Sequence, residues 1–255
     1  MIVRTDAVIL KSMDYRESSR ILTLYTREFG KLSVLVKGAR GPKSRLAGTT
    51  EPLNYVQVVF YKKDDRELQL LTQCDIVRSW RGLTDQLEKM GPAMAIVELT
   101  NAVTHEEERN LRQFELLVNC IDAVNDATSN ATNAFYVFEV RLLDILGFRP
   151  DFRLCSSCGS ELSTEQTGKL SVDAARGGVH CAKCAGRGRG FESISQGAVN
   201  VLRRMQELND VRSATHIVLS TQLRSEIAGA LRRYLQSHVE GLKGLKSESV
   251  FAAIV

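Results

Sequence analysis

The chain has 255 residues, of which 44% are hydrophobic and 25% are charged, and its formal net charge is +4. This composition excludes a disordered chain and allows one to three domains with a sizeable core. The N-terminus lacks the apolar segment of a signal peptide, and no apolar run is long enough to span a membrane, so a cytoplasmic protein is expected.

Charge is unevenly distributed along the chain. Residues 1–80 contain 14 Lys/Arg and 9 Asp/Glu, whereas residues 81–150 contain 6 and 11, and residues 193–255 contain 8 and 5. A basic N-terminal part followed by an acidic middle part suggests that the N-terminal part binds a polyanion. A chance scatter of solvated charge would explain the same numbers.

The first 80 residues predict a small β-barrel. Between residue 3 and about residue 77, five segments of alternating or β-branched residues are separated by turn residues, and they predict five strands. Five strands are too few for a large sandwich, so a closed Greek-key barrel of the OB type is the natural way to remove free edges. Most aromatic residues of this part are expected in the core, although four of them are possible stacking partners: Tyr15, Tyr25, Phe29 and Tyr55.

From about residue 81 the hydrophobic period becomes helical. The first helix is expected to begin near Pro92, and a later one is expected to be capped by Gly147. We predict a helical domain in two parts, residues 81–150 and 193–255. The apolar stripe of the last helix is formed by Leu223, Ile227, Leu231 and Leu235.

Two C-x-x-C turns are the sharpest chemical motif in the chain. Their cysteines are Cys155, Cys158, Cys181 and Cys184. Two such turns supply the four thiolates of a tetrahedral, structural Zn²⁺ site that holds one ion, and His180 is not needed as a ligand. An iron–sulfur cluster takes the same ligand set and is not excluded by spacing. We predict a zinc finger over residues 151–192, inserted between the two helical parts, and we expect Cys74 and Cys120 to be small buried residues.

The stretch KLSVLVKGARGPKSR, residues 31–45, contains no acidic residue. Its tail resembles a phosphate-binding loop, but Pro42 removes a backbone N–H where that loop needs glycine. We therefore interpret the stretch as a strand that ends in a basic loop, suited to tracking the backbone of a single strand. A solvated basic turn is the plainer alternative. The basic residues of the predicted loop are Lys37, Arg40, Lys43 and Arg45.

A metal-dependent nuclease would need clustered carboxylates around an open metal site. The nearest candidate is the trio Glu106, Glu107 and Glu108. Neighbouring residues on a helix point in different directions, so we interpret the trio as a solvated cap region. No enzymatic activity is expected.

The run RTDAVILKSMDYRESSRILTLYTREFGKLSVLVKGAR and the later segments EPLNYVQVVFYKK and LLDILGFRPDFRLCSSCGSEL resemble the RecO family of bacterial recombination mediators. The resemblance covers nearly the whole chain. It implies an α+β protein with an N-terminal OB barrel, a helical domain and an inserted zinc finger with four cysteine ligands. It also implies a non-catalytic protein that binds single- and double-stranded DNA, anneals complementary strands, binds the tail of single-strand-binding protein and works with RecR to load RecA.

The resemblance also implies roles for particular residues. Lys37 and Arg40 match the strand-to-loop positions that the family uses for DNA, and Lys43 and Arg45 extend that patch. The four cysteines match the family's finger, which some members lack. The groove for the single-strand-binding-protein tail is not assigned by the resemblance. One candidate, against the plainer interpretation of a solvated helix face, is the set Arg203, Arg204, Arg232 and Arg233.

Overall fold

The structure is a computed structural model, and it describes residues 1–41, 44, 46, 48–84, 86–162, 169–185, 192–242 and 244–247. The chain divides into two compact units, Met1–Asn125 and Asp126–Val255. Among the described helices, none combines the length and the apolar character that crossing a membrane would need. The finer boundaries at residues 80, 150 and 192 stay a prediction.

The first unit contains a closed barrel of five strands, which confirms the predicted architecture. Going round the barrel, the strand order is β1-β2-β3-β5-β4. Strands β3 and β5 pair in parallel, and the other neighbours pair antiparallel. The strands are β1 (Ile2–Tyr15), β2 (Ser19–Thr26), β3 (Gly30–Val36), β4 (Tyr55–Tyr61) and β5 (Leu68–Arg78).

Strand β1 closes the barrel because it is long enough to pair on both of its edges. Its first half pairs with β4 and its second half with β2, with a register shift between Ile9 and Lys11. Alternate side chains point inward, as the period of a strand requires. The interior includes Ala7, Leu22, Leu24, Val34, Val58, Phe60 and, as predicted, Cys74.

Three helices complete the first unit: α1 (Arg81–Thr84), α2 (Leu87–Val103) and α3 (Leu111–Asp126). They cover one side of the barrel's outer surface. Tyr55 stacks on Trp80 with ring centroids 6.1 Å apart, and the Trp80 indole N–H donates to Asp122 on α3 at 2.7 Å. The Tyr25 hydroxyl donates to the carbonyl of Asn110 at 3.3 Å. Aromatic side chains on the outside of the barrel therefore belong to a core shared with the helices.

The connection between α2 and α3 lies against the β2–β3 turn. The Lys31 ammonium donates to the carbonyl of Asn101 at 3.1 Å, and the backbone N–H of Glu107 donates to the carbonyl of Lys31 at 2.8 Å. Gly30 has a φ of +68°, and a Cβ there would overlap the backbone of Glu108. This turn therefore needs glycine both for its conformation and for the close approach of the connection.

The prediction that the first long helix begins near Pro92 was wrong. Helix α2 begins at Leu87 and contains Pro92 in its second turn. A proline there removes one backbone donor, and the preceding Gly91 has no side chain to meet the ring. The Lys89 ammonium donates to the carbonyl of Asn125 at 2.8 Å, so a tertiary contact holds the first turn in place.

The second unit contains helices packed beside a small sheet. Strand order in the sheet is β6-β8-β7-β9, and β6 and β8 are parallel. Gly147 has a φ of +85°, and the Phe148 N–H donates to the carbonyl of Leu143 at 2.8 Å, which confirms the predicted cap. The elements are α4 (Thr132–Ile145), β6 (Asp151–Cys155), β7 (Leu170–Asp173), β8 (Gly178–His180), α5 (Ala182–Ala185), β9 (Ser193–Ile194), α6 (Gln196–Glu207), a 3₁₀-helix (Val211–His216) and α7 (Thr221–His238).

The predicted stripe of α7 forms the centre of this unit. Ile227, Leu231 and Leu235 are buried, and Leu223 is partly buried. Tyr234 is also buried, and its hydroxyl donates to the carbonyl of Gly178 at 2.6 Å. That hydrogen bond ties α7 to strand β8, which leads directly into the second pair of cysteines.

Candidate metal centre and nucleic-acid interface

The four cysteines of the two C-x-x-C turns converge on one point. Their sulfur atoms all lie within 4.8 Å of one another, and none of the four is in a disulfide. Cys155 ends β6, and the turn after it closes with a hydrogen bond from the Gly159 N–H to the Cys155 carbonyl at 2.9 Å. Gly159 has a φ of +70°, which glycine adopts without strain.

The second turn is built by helix α5. The N–H of Cys184 donates to the carbonyl of Cys181 at 2.9 Å, which places both side chains on the same side. The N–H of Cys181 donates to the sulfur of Cys155 at 3.3 Å. Such a backbone donor stabilises a thiolate, the form of cysteine that binds metals.

The spacing of the sulfurs fits a tetrahedral metal. Cys158 and Cys181 sulfurs are 3.8 Å apart. With Zn–S bonds of about 2.3 Å, the sulfurs of a regular tetrahedron lie about 3.8 Å apart. The residues present therefore fit a four-thiolate metal site, and Cys155, Cys158, Cys181 and Cys184 could hold one ion.

Hydrogen bonds among these groups shift the pKa values of three thiols, those of Cys158, Cys181 and Cys184. A hydrogen bond with the Ser160 hydroxyl, 3.1 Å away, is the main cause that lowers the pKa of Cys158 to about 6. Hydrogen bonding with Cys181 is the main cause that raises the pKa of Cys184 to about 11. The protonation of each thiol thus depends on its neighbours, as expected of sulfurs gathered at one point.

His180 has another role than that of a metal ligand. Its Nε2 lies 2.9 Å from the Asp173 carboxylate, and both side chains are buried. The Ser156 hydroxyl donates to the same carboxylate at 3.3 Å, and the Arg176 N–H donates to its other oxygen at 3.3 Å. Asp173 therefore joins the first cysteine turn to strands β7 and β8.

At one end of the barrel, basic residues gather where β3 ends and where β1 turns into β2. Lys37 is exposed directly after β3, and Gly38 follows with a φ of +68° and open space around it. The backbone N–H of Arg40 donates to the carbonyl of Ser18 at 3.0 Å, and its guanidinium donates to the carbonyl of Arg16 at 3.3 Å. We call the exposed cations Arg16, Lys37 and Arg40 the basic end.

The predicted residues of this loop are only partly described. Lys37 and Arg40 lie at the basic end, whereas Lys43 and Arg45 lie outside the described residues. Arg40 also forms an ion pair with Asp14, with an Nε–Oδ2 distance of 3.3 Å. Arg16 was not predicted to lie here. Its backbone has a φ of +54°, and this turn conformation is not indicated by any sequence pattern around Arg16. DNA binding by these residues stays a prediction.

The aromatic residues considered as stacking partners are mostly unavailable. Tyr25 and Tyr55 are buried, and Phe29 packs edge-on against Phe60 with ring centroids 6.0 Å apart. Burial is also the main cause that raises the pKa of Tyr55. Tyr15 is partly exposed, with the Arg16 guanidinium 5.2 Å from its ring centroid.

The arginines considered for the protein tail lie on two helices. On α6, the Arg203 guanidinium donates to Asn200 at 3.4 Å, and Arg204 is exposed. On α7, Arg232 is exposed, and Arg233 forms an ion pair with Glu192. These local contacts suit a solvated helix face, and the tail-binding role stays a prediction.

The acidic trio lies in the α2–α3 connection and not on a helix. Glu107 has a φ of +58°, and its carboxylate lies 3.8 Å from the Lys62 ammonium. Within the part of the chain that the structure describes, the cysteine group is the one cluster of three or more potential metal ligands, and the trio does not form another.

Comparisons with known proteins agree with this architecture. The family model "Recombination protein O N terminal" matches residues 1–80, and "Recombination protein O C terminal" matches residues 84–248. A protein of Chloroherpeton thalassium called DNA repair protein RecO is 32% identical over 259 residues, which cover all of both chains. The protein of that name from Salinibacter ruber is 34% identical over 253 residues, covering 99% of this chain and 94% of its own. That from Symbiobacterium thermophilum is 32% identical over 243 residues, or 95% and 94% of the two chains.

Proposed function

This chain belongs to the RecO family of DNA repair proteins, and on that premise we propose that it is a non-catalytic mediator of homologous recombination. In this proposal the protein binds single- and double-stranded DNA and anneals complementary strands. It binds the tail of single-strand-binding protein and, with RecR, helps to load RecA onto strands coated by that protein. It would act at the nucleoid in the cytoplasm.

The basic end of the barrel is the observation that supports this proposal. Lys37 and Arg40 follow β3, and Arg16 lies in the β1–β2 turn, whose carbonyl groups position Arg40. Two complementary strands repel each other through their phosphates, and a patch that holds one strand lowers the repulsion felt by the second. Annealing by this route requires that the charge of the phosphates is neutralised. It requires no side chain that makes or breaks a covalent bond.

Annealing by the purified protein is the direct test. We expect complementary oligonucleotides to pair faster with the protein than without it, also when they are coated with single-strand-binding protein. If about four phosphates are neutralised, the logarithm of the affinity for single strands should fall with the logarithm of salt at a slope near −3. Unchanged pairing rates, with no oligonucleotide binding at low salt, would overturn the proposal.

Two alternatives are separated by simple measurements. A scaffold that leaves DNA to its partners would show no gel shift with the isolated protein, whereas the proposed mediator shifts both single strands and duplexes. A nuclease would cleave labelled DNA in the presence of Mg²⁺ or Mn²⁺. We expect the label to remain in full-length DNA.

We propose that the cysteine group holds one structural Zn²⁺. A shell of four thiolates leaves no open position for water, so the ion would cross-link the two turns and take no part in a reaction. We expect elemental analysis of the purified protein to give one zinc per chain and its solution to be colourless. A brown protein with iron and sulfide would show that an iron–sulfur cluster is bound instead.

A further inference from the structure

One of the four clustered sulfurs is accessible from solvent. Cys158 is exposed, whereas Cys155, Cys181 and Cys184 are buried. Residues 157–161 are all exposed, and a Cβ added to Gly159 would meet no atom within 4 Å. The turn that carries Cys158 is therefore open to small reagents and has room to shift.

The sulfur of Cys181 lies close to that of Cys158 and is held in place. Cys181 directly follows β8, and its carbonyl accepts the N–H groups of Cys184 and Ala185, each at 2.9 Å. The Cys158 and Cys181 sulfurs are 3.8 Å apart, and a disulfide bond is about 2.05 Å long. A shift of the exposed turn by about 1.8 Å would therefore bring the two sulfurs to bonding distance.

This arrangement has the features of a cysteine pair that reacts with peroxides. The nucleophile in such reactions is the thiolate, and a bound metal keeps its cysteine ligands in that form. Cysteines that are oxidised selectively are exposed to solvent and lie beside a second sulfur that can close a disulfide. Cys158 is exposed, and Cys181 is that second sulfur.

We propose that the cysteine group is a peroxide-sensitive switch: Cys158 is oxidised, Cys181 closes a disulfide with it, and the metal is released. This inference goes beyond the proposed role on DNA, and it rests on the proposed Zn²⁺ site. It assigns different tasks to the four cysteines, since all four bind the metal but only two of them react.

The oxidation takes place in two steps. The Cys158 thiolate attacks one oxygen of hydrogen peroxide, so an S–O bond forms, the O–O bond breaks and hydroxide leaves. The Cys181 thiolate then attacks the sulfur of the resulting sulfenic acid, an S–S bond forms, and a second hydroxide leaves. Each hydroxide takes up a proton, so two sulfurs lose two electrons in total and peroxide becomes two molecules of water. Cys155 and Cys184 supply only half of a tetrahedral shell, and the ion is released.

Contacts that need no metal should make the change reversible. The Asp173 carboxylate accepts hydrogen bonds from the Ser156 hydroxyl and the Arg176 N–H, each at 3.3 Å, and it pairs with His180. The new disulfide also joins the two turns that the ion joined. We therefore expect reduction by a thiol, followed by addition of zinc, to restore the parent protein.

The first test uses the unaltered protein. Treatment with hydrogen peroxide should release one zinc per chain, measured with a colorimetric chelator, and leave the denatured chain lighter by two hydrogen atoms. Trypsin separates Cys181 from Cys184 by cutting after Lys183. The disulfide should join the tryptic peptide 154–169 to the tryptic peptide 177–183, and fragmentation of the joined pair should place the bond on Cys158.

Two histidine variants separate metal binding from oxidation. Cys158→His gives a shell of three thiolates and one imidazole, which is common in structural zinc sites, and it removes the accessible sulfur. We expect this variant to hold one zinc and to release it about tenfold more slowly than the parent under peroxide. Cys184→His has the same kind of shell but keeps the reacting pair, so it should still release zinc and form the disulfide.

Three results would overturn the switch. They are zinc release from Cys158→His as fast as from the parent, a disulfide confined to peptide 154–169, and metal that stays bound to the oxidised parent. If Cys158→His fails to fold, the peptide map of the unaltered protein decides between the proposed disulfide and any other. Protein that contains no zinc before oxidation would instead overturn the proposed metal site, whatever its affinity for DNA.

Discussion

Reversing the charges of Lys37 and Arg40 together is expected to weaken single-strand binding by roughly two orders of magnitude at low salt. The variant Lys37→Glu/Arg40→Glu removes two cations from the basic end and places two carboxylates where phosphates are proposed to lie. Its salt slope should become shallower by about 1.4, since two fewer phosphates of the single strand are neutralised. Titrations at several salt concentrations measure both quantities, and annealing should slow in parallel.

The fold should survive this change. Lys37 is exposed, and the Arg40 side chain, which is 39% exposed, pairs with Asp14 at the surface. Surface ion pairs of this kind contribute about 0–1 kcal/mol to stability. Neutral variants, Lys37→Gln and Arg40→Gln, should show smaller losses of affinity in the same direction and avoid repulsion from Asp14.

A charge-matched control separates local contact from general charge. Arg4 and Arg27 are also exposed on the first unit, and Arg27 lies in the β2–β3 turn, at the other end of β2 and β3 from Lys37. The variant Arg4→Glu/Arg27→Glu changes the net charge equally and should keep most of the affinity. Parent-like binding by the Lys37/Arg40 variant, or equal losses in both variants, would remove the basic end from the DNA site.

Replacing one of the four clustered cysteines is expected to remove the metal and to destabilise part of the second unit strongly. In Cys155→Ser we expect loss of the bound metal, because three thiolates no longer close the tetrahedral shell. Metal binding at such sites contributes on the order of 10 kcal/mol to folding, so the sheet β6–β9 should lose its protection against hydrogen exchange. The barrel should keep its protection, since its interior is built from its own strands.

Elemental analysis and hydrogen exchange followed by mass spectrometry test this expectation together. Cys74→Ala is the control, since it removes a thiol from the barrel interior and should leave the metal content at one per chain. Equal loss of protection in the barrel and in the sheet of Cys155→Ser would refute the idea that the metal stabilises its own segment.

The barrel and the cysteine cluster could be predicted because each depends on a short-range pattern. Alternation along single strands predicted all five, and the spacing inside two C-x-x-C turns predicted sulfurs that the structure brings within 4.8 Å. The start of α2 could not be predicted from Pro92, because a distant partner, the carbonyl of Asn125, holds its first turn.

The surface of the barrel depends on information that single strands do not contain. The neighbours of an outward side chain are known only once the register across the five strands is known, and a register shift between Ile9 and Lys11 sets that register in β1. The outward side chains of Tyr25 and Tyr55 alternate with the core as solvent-facing residues would, but helices cover them.

Because α2 and α3 cover part of the barrel, a stable N-terminal fragment of the protein has to include both helices. A fragment that stops after residue 80 would retain Tyr25, Tyr55 and Trp80 but lose Phe114 and Asp122, against which they rest. Three aromatic rings would then face water, and such a surface promotes aggregation. Recombinant versions of the N-terminal half are therefore best ended after Asp126, the last residue of the helix that shields those rings.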